Sequence, residues 1–241
     1  MQKPQTSSNG TPAFTLMETV IAIGVLAVLL TGFIAVFTPA AQGIRRSISS
    51  QQADRLTTTL ERELVTLRSG QTPAAAKTGF EKGFTWLKEG NVAANAIFVY
   101  QYRGDPSAIR PDGTPKPKIV ITGQPGTDYI VQSMARRADD AEFREDLKAM
   151  EGAIFFVKPT QLVFSGNQMV LGTKGTIANP TGSSPATAAT AADFRDAVIP
   201  FSAEFHSVPT KSIGYLTGAA FKTRFDSVTK PVFTRNLAIR R

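Results

Sequence analysis

Hydrophobic and polar positions are unevenly distributed along this chain of 241 residues. No residue from Thr19 to Ile44 is charged, and Val20 to Phe37 reads VIAIGVLAVLLTGFIAVF, apolar apart from Thr31 and two glycines. A helix drawn through this run is apolar on every face, unlike the one-sided stripe of a helix that covers a soluble core. Crossing a ~30 Å hydrocarbon layer takes roughly 20 apolar residues, and the stretch from Phe14 to Pro39 supplies them. Ala27, Thr31 and Ala35 recur at i, i+4, i+8. They form either a ridge along which a second helix can approach closely or a by-product of an alanine-rich run.

Past Pro39 the pattern becomes amphipathic. Ile44, Ile48, Leu56, Leu60, Leu64 and Leu67 keep helical spacing, with Arg45, Arg46, Asp54, Arg55, Glu61, Arg62, Glu63 and Arg68 mostly on other faces. Gly70 offers a C-terminal stop. The pattern predicts one helix over 14–69, roughly 84 Å long at ~1.5 Å per residue and bent near Pro39, where proline frees a backbone carbonyl.

Beyond Gln71 the signals are mostly β. Strands are expected over 96–102, 118–122, 153–157, 161–164, 168–171 and 197–205, with a break at Pro159 and a hairpin turn at Ser165-Gly166-Asn167. Asp139 to Met150 reads as a helix with acids early and Lys148 late. It is the single short helix expected in this part. Gly172 to Asp193, rich in small and turn-forming residues, reads as a flexible surface loop. The stretch from Tyr215 is ambiguous. The expected class is α+β, a mainly antiparallel sheet packed on a long N-terminal helix.

Composition narrows the chemistry. Hydrophobic residues are 42% and charged residues 19%, an ordinary globular balance that excludes wholesale disorder and collagen-like repeats. The absence of cysteine excludes disulfides, thiolate metal sites and a cysteine nucleophile. His206 is the one histidine, so no multi-histidine metal site exists, and it reads as a structural residue. Asp139, Asp140, Glu142, Glu145 and Asp146 lack calcium-loop spacing and read as a solvated helix face. Ala74 to Thr78 lacks the glycine that precedes the lysine of a phosphate loop. No catalytic residue, metal or cofactor is singled out, and a non-enzymatic role is expected. The net charge of +8 is densest at Arg136-Arg137 and at Arg235, Arg240 and Arg241. It reads as solubilising charge, with DNA, surface polysaccharide or lipid headgroups as the alternative partners.

The residues before the apolar run add a specific signal. Ala13-Phe14-Thr15-Leu16-Met17-Glu18 resembles the prepilin-type cleavage and methylation motif of type IV pilins and type II secretion pseudopilins. Its usual form is Gly, then Phe-Thr-Leu-x-Glu, then a long apolar run. Phe14, Thr15, Leu16 and Glu18 match in place, while Ala13 stands where glycine is commonest. The resemblance covers Ala13 to about Phe37 and, more loosely, the helix to Ser69. It implies a pilin-like fold with a leader over 1–13, a transmembrane helix over 14–39, an amphipathic stem over 40–69 and an α+β head over 70–241.

It also implies processing and assembly. A prepilin peptidase would cut between Ala13 and Phe14, and the new Phe14 amine would be N-methylated. Glu18 would pair with the Phe14 amine of a neighbouring subunit, offsetting the desolvation of both charges and setting axial register. An inner-membrane assembly platform and a motor ATPase would build the chain, as a minor pilin or pseudopilin, into a pilus or secretion pseudopilus. The chain would be single-pass in the cytoplasmic membrane, its head in the periplasm or outside. Three alternatives stand beside this. One is a minor pilin that binds DNA or surfaces through a basic head. Another is a membrane-anchored envelope protein with no filament role. The last is a secretory signal cleaved near Thr38-Pro39-Ala40-Ala41.

Overall fold

The computed structural model describes residues 15–71 and 76–241, and the side chains of 36–53 lie outside the description. The chain forms two compact units, residues 1–51 and 52–241. Helix α1 runs from Leu16 to Val65 and stays helical through Pro39. It ends before the expected stop at Gly70, which lies in the following turn with φ +74. The last carbonyls of a helix have no partner within it. Here Lys82 answers them, donating to Glu63 O at 2.6 Å and Thr66 O at 2.5 Å.

The second unit is built on a seven-stranded sheet. Its strands are β1 (Ile97–Ile109), β2 (Pro115–Pro117), β3 (Ile130–Arg137), β4 (Met150–Ser165), β5 (Gln168–Leu171), β6 (Val198–Ser207) and β7 (Phe233–Arg240). The main path is β2-β1-β4-β6-β7; β3 also pairs with β1, and β5 with β4. Every one of these pairings is antiparallel. The architecture is therefore α+β with an open, mainly antiparallel sheet.

Both faces of the sheet are covered, which explains why β1 begins with an unbroken apolar run instead of alternating. One face carries Ile97, Val99, Val157, Phe201 and Phe205, packed with Leu56, Leu60 and Leu64 of α1 and with helix α2 (Gly79–Glu89). The other carries Phe98, Tyr100, Tyr102 and Phe156, packed with α3 (Ala141–Asp146), α4 (Ile213–Leu216) and α5 (Ala219–Ser227). The expectation of a single short helix fails on this count.

Helix α2 has clear local causes. Thr78 accepts from Glu81 N at 3.1 Å, and Glu81 Oε2 accepts from Lys77 N at 2.6 Å, closing the N-terminus from both sides. Phe80, Phe84 and Leu87 then follow at i, i+4, i+7 and are buried. Gly83 permits close approach to β7, because a Cβ there would lie 2.7 Å from Ile239 Cδ1.

Other expectations are corrected. Lys118 to Thr122 is not a strand, and Ile119, Val120 and Ile121 are exposed. The ladder in this region is the short β2 just before it, so these β-prone residues have no partner strand. The strands expected on either side of Pro159 are one strand, β4. The last β1–β4 pair is Ile97↔Val157, so Pro159 lies past that ladder and costs it no bond. Its carbonyl accepts from Asn91 Nδ2 at 2.6 Å instead. The helix expected over 139–150 stops at Asp146, gives a 3-10 turn over 147–149 and enters β4 at Met150.

The hairpin turn stands where expected, with Gly166 at φ +55 and Asn167 at φ +65 between Ser165 and Gln168. Residues 172–193 do form a loop, but a packed one. Ile177, Ala188 and Ala191 enter the core, and Gln161 clamps Ala178 through both its amide groups at 2.9 and 2.7 Å.

Candidate functional site

The sequence places its functional weight at the head of α1. Leu16–Ala35 is a stretch of 20 residues with none of its best window buried. It is long and apolar enough to cross a membrane, a property that a signal sequence shares. Its hydroxyls are satisfied locally, Thr19 donating to Thr15 O at 3.3 Å and Thr31 to Ala27 O at 2.8 Å. Hydroxyls in a bilayer need such bonds, because hydrocarbon offers none.

Ala13 and Phe14, the expected cleavage pair, lie outside the described residues. Thr15 and Glu18 lie inside them and form a reciprocal cap. Glu18 N donates to Thr15 Oγ1 at 3.2 Å, while Thr15 N and Oγ1 each donate to Glu18 Oε2 at 3.1 Å. Two orphan donors of the first turn are thereby satisfied, and the carboxylate sits at the positive end of the helix. The expected partner of Glu18 lies on a neighbouring subunit, and within the chain it has another. The partner is three residues back, and the Thr-x-x-Glu spacing was the available signal.

The remaining candidates lie in the head and are structural in their geometry. His206 is buried and stacked on Phe156 at 5.0 Å between ring centroids, with Nε2 3.7 Å from Glu204 Oε2. Burial, with Lys158 nearby, lowers its pKa and favours the neutral ring. Among the described residues no three His, Asp or Glu side chains converge as a metal site would.

The acids read as a solvated face divide into two groups. Asp140 and Asp146 are buried, and Arg136, read as part of an exposed basic spot, has a side chain only 1% exposed. Arg136 donates to Asp112 at 2.6 Å, Asp140 at 3.0 Å and Asp146 at 3.1 Å. Arg110 and Tyr100 also donate to Asp146, at 2.7 and 2.6 Å. Burial raises the Asp146 pKa, an effect that Arg136 and Tyr100 only partly offset. Burial opposes ionisation of Asp112 as well, but the Thr114 hydroxyl and Arg136 outweigh it and hold its pKa below the usual value. Burial also drives the Tyr100 phenol well above its ordinary range, with Asp146 adding to it. The cluster ties β1, the turn after it, β3 and α3 together.

Arg137 is likewise turned inward, donating to Glu89 at 2.7 Å and to both Asp139 oxygens at 3.0 and 2.9 Å. Arg241 donates to Ala191 O and Phe194 O at 2.8 and 3.1 Å, and Arg235 pairs with Asp54 at 3.0 Å. The densest basic spots are thus largely engaged within the head. No sequence signal marked this, because alternation along β3 does not distinguish a buried arginine from an exposed one.

Lys82 was also missed. Besides the carbonyls of Glu63 and Thr66 its ammonium donates to Gln71 Oε1 at 2.6 Å, and it lies 4.7 Å from the Trp86 ring centroid. Burial pushes its pKa down to about 8 against the pull of Glu63.

No protein-family model, curated protein or solved structure matches the chain.

Proposed function

We propose that this chain is a prepilin-like structural subunit, processed by a prepilin peptidase and assembled into a pilus or secretion pseudopilus. The observation that carries the proposal is Phe14-Thr15-Leu16-Met17-Glu18 heading a wholly exposed apolar helix over Leu16–Ala35. Cleavage after Ala13 leaves a free amine on Phe14, one residue before the cap. Both Thr15 contacts fall on Glu18 Oε2, so Oε1 remains for the Phe14 amine of a neighbouring subunit. Pairing the two charges offsets the cost of holding either one at the edge of hydrocarbon. In this reading Glu18 first shapes the helix start and then joins subunits. The platform and motor ATPase supply the work of extraction from the membrane, and no catalysis is assigned to the chain. Nucleic-acid capture by the head is the weaker reading, because Arg136 and Arg137 are buried and paired.

Mass spectrometry of the N-terminus of membrane-extracted protein tests the proposal. The expected terminus is Phe14, methylated or not. A terminus near Ala41 or an intact Met1 overturns it. Glu18→Gln keeps an acceptor for Thr15 but loses the charge, so the variant should be processed normally and fail to enter filaments. Normal assembly of that variant would remove the role given to Glu18.

A further inference from the structure

The outer strands of the head are not equally protected. Bare strand edges recruit further strands, and charged residues and prolines prevent this. β2 reads Pro115-Lys116-Pro117, β3 ends in Arg136-Arg137, and β7 carries Arg235 and Arg240. β5 reads Gln168-Met169-Val170-Leu171, has neither charge nor proline, and pairs only with β4 among the described residues. Ser165↔Gln168 closes a two-residue turn, and Gly172 N donates to Gln161 O at 2.8 Å. In an antiparallel ladder of that register the N–H groups of Met169 and Leu171 point away from β4. Leu171 is 58% exposed and Phe164, opposite Met169 on β4, 70%.

The same chain carries a segment that fits such an edge. Ile119, Val120, Ile121 and Thr122 are four successive β-branched residues, a composition suited to strands, yet they belong to none. Their only ordered backbone feature is a tight turn, Thr122 N to Val120 O at 3.1 Å. Ile119 is 56% exposed, Val120 65% and Ile121 67%. Segment and edge are thus both apolar, exposed and unpaired among the described strands.

Register sets the two features at opposite ends of the sheet. β1 pairs with β4 only as far as Tyr102↔Met150, and β2 follows on the part of β1 beyond, from Gly104. β5 takes the other end of β4, from Leu162 to Ser165. Met150 to Leu162 at ~3.3 Å per residue separates these ends by about 40 Å. A donor at one end and an acceptor at the other make a head-to-tail contact, which propagates as an open row instead of closing as a two-fold dimer.

We infer that residues 119–122 of one copy add as a strand to the free edge of β5 in the next copy. Four residues bury far less than the ~1,200–2,000 Å² of a stable interface. The contact is weak in dilute solution and acts between heads already concentrated by membrane anchoring. It needs neither cleavage after Ala13 nor Glu18, and so goes beyond the proposed function.

The absence of native cysteine makes the test clean. Full-length protein carrying Val120→Cys and Val170→Cys, in membrane vesicles, is treated with a short bismaleimide. A ladder of dimer, trimer and longer species is expected, with either single variant remaining monomeric. Val92→Cys with Val170→Cys is the collision control, Val92 being 56% exposed, and it should give no ladder. Adding Met169→Pro removes an outward N–H without touching the β4–β5 bonds. It should abolish the ladder while fluorescence of the single tryptophan, Trp86, stays native. Absence of the ladder, dimers from Val170→Cys alone, or a ladder that survives Met169→Pro overturns the inference. An unprocessed N-terminus leaves the ladder unchanged, so the two proposals fail separately.

Discussion

Leu26 and Arg136 occupy opposite anomalies. Leu26 is one of more than ten large aliphatic or aromatic side chains exposed within Leu16–Ala35, whereas Arg136 is enclosed in the head with two other charged partners, Asp140 and Asp146, equally buried. In the first region the side chains are exposed along a helix long and apolar enough to cross a membrane. In the second, charge is tolerated because each carboxylate meets a guanidinium within hydrogen-bond distance. Here burial of charge follows partnership.

The comparison is broken most severely by removing one charged partner. Arg136→Met leaves Asp112, Asp140 and Asp146 without their shared cation and should cost ~3–5 kcal/mol. Chemical denaturation followed by Trp86 fluorescence measures it, and a loss below about 1 kcal/mol would mean that the cluster behaves like a surface pair.

Truncating leucine separates the two regions directly. Leu60 is fully buried and Leu26 is not. Leu60→Ala should lower head stability by about 2–5 kcal/mol, and Leu26→Ala should leave the Trp86 transition where it was. A shift of that transition by Leu26→Ala would tie the two regions together energetically.

A pH titration sharpens the cost of enclosed charge. Lys82 releases its proton at about 8 in the folded head, against 10.5 for the unperturbed side chain. Between these values the unfolded state binds more protons than the folded one, so the Lys82 contribution makes stability rise with pH across the window. Stability measured from pH 7.5 to 10.5 should show this rise, and Lys82→Met should flatten it.

The smallest effect is expected at a helix cap. Thr78→Ala removes the acceptor for Glu81 N and should cost ~1 kcal/mol. The same Trp86 transition reports it, since α2 carries that residue.

Much of the molecule could be read from residue order, and its omissions share a cause. The apolar span, the α1 stripe at Leu56, Leu60 and Leu64, and the Ser165–Gln168 hairpin depend on local pattern and were legible. Lys118 to Thr122 has the composition of a strand but lacks a partner, and pairing is not a local property. Pro159 appeared to interrupt β4, yet it stands where one neighbouring ladder has already ended, which register alone decides. Asp140, Asp146 and Arg136 appeared solvated because several of their partners come from segments distant in sequence, up to 46 residues away for Tyr100 and Asp146. Helix α2 was the avoidable omission, since Thr78 and Glu81 around the start of the Phe80, Phe84 and Leu87 stripe form a visible start signal. At the candidate site, Thr15-x-x-Glu18 was equally visible as a cap.

The Lys82 clasp has a mechanical consequence. Its ammonium grips the last carbonyls of α1 while its own helix, α2, lies against β7 through Gly83 and Ile239. Leu56, Leu60 and Leu64, in the last turns of α1, belong to the same packed cluster. Tension applied along α1 therefore loads these attachments in parallel, by shear, instead of peeling them one at a time. The head should resist being drawn off its helix far better than the modest strength of any one attachment suggests.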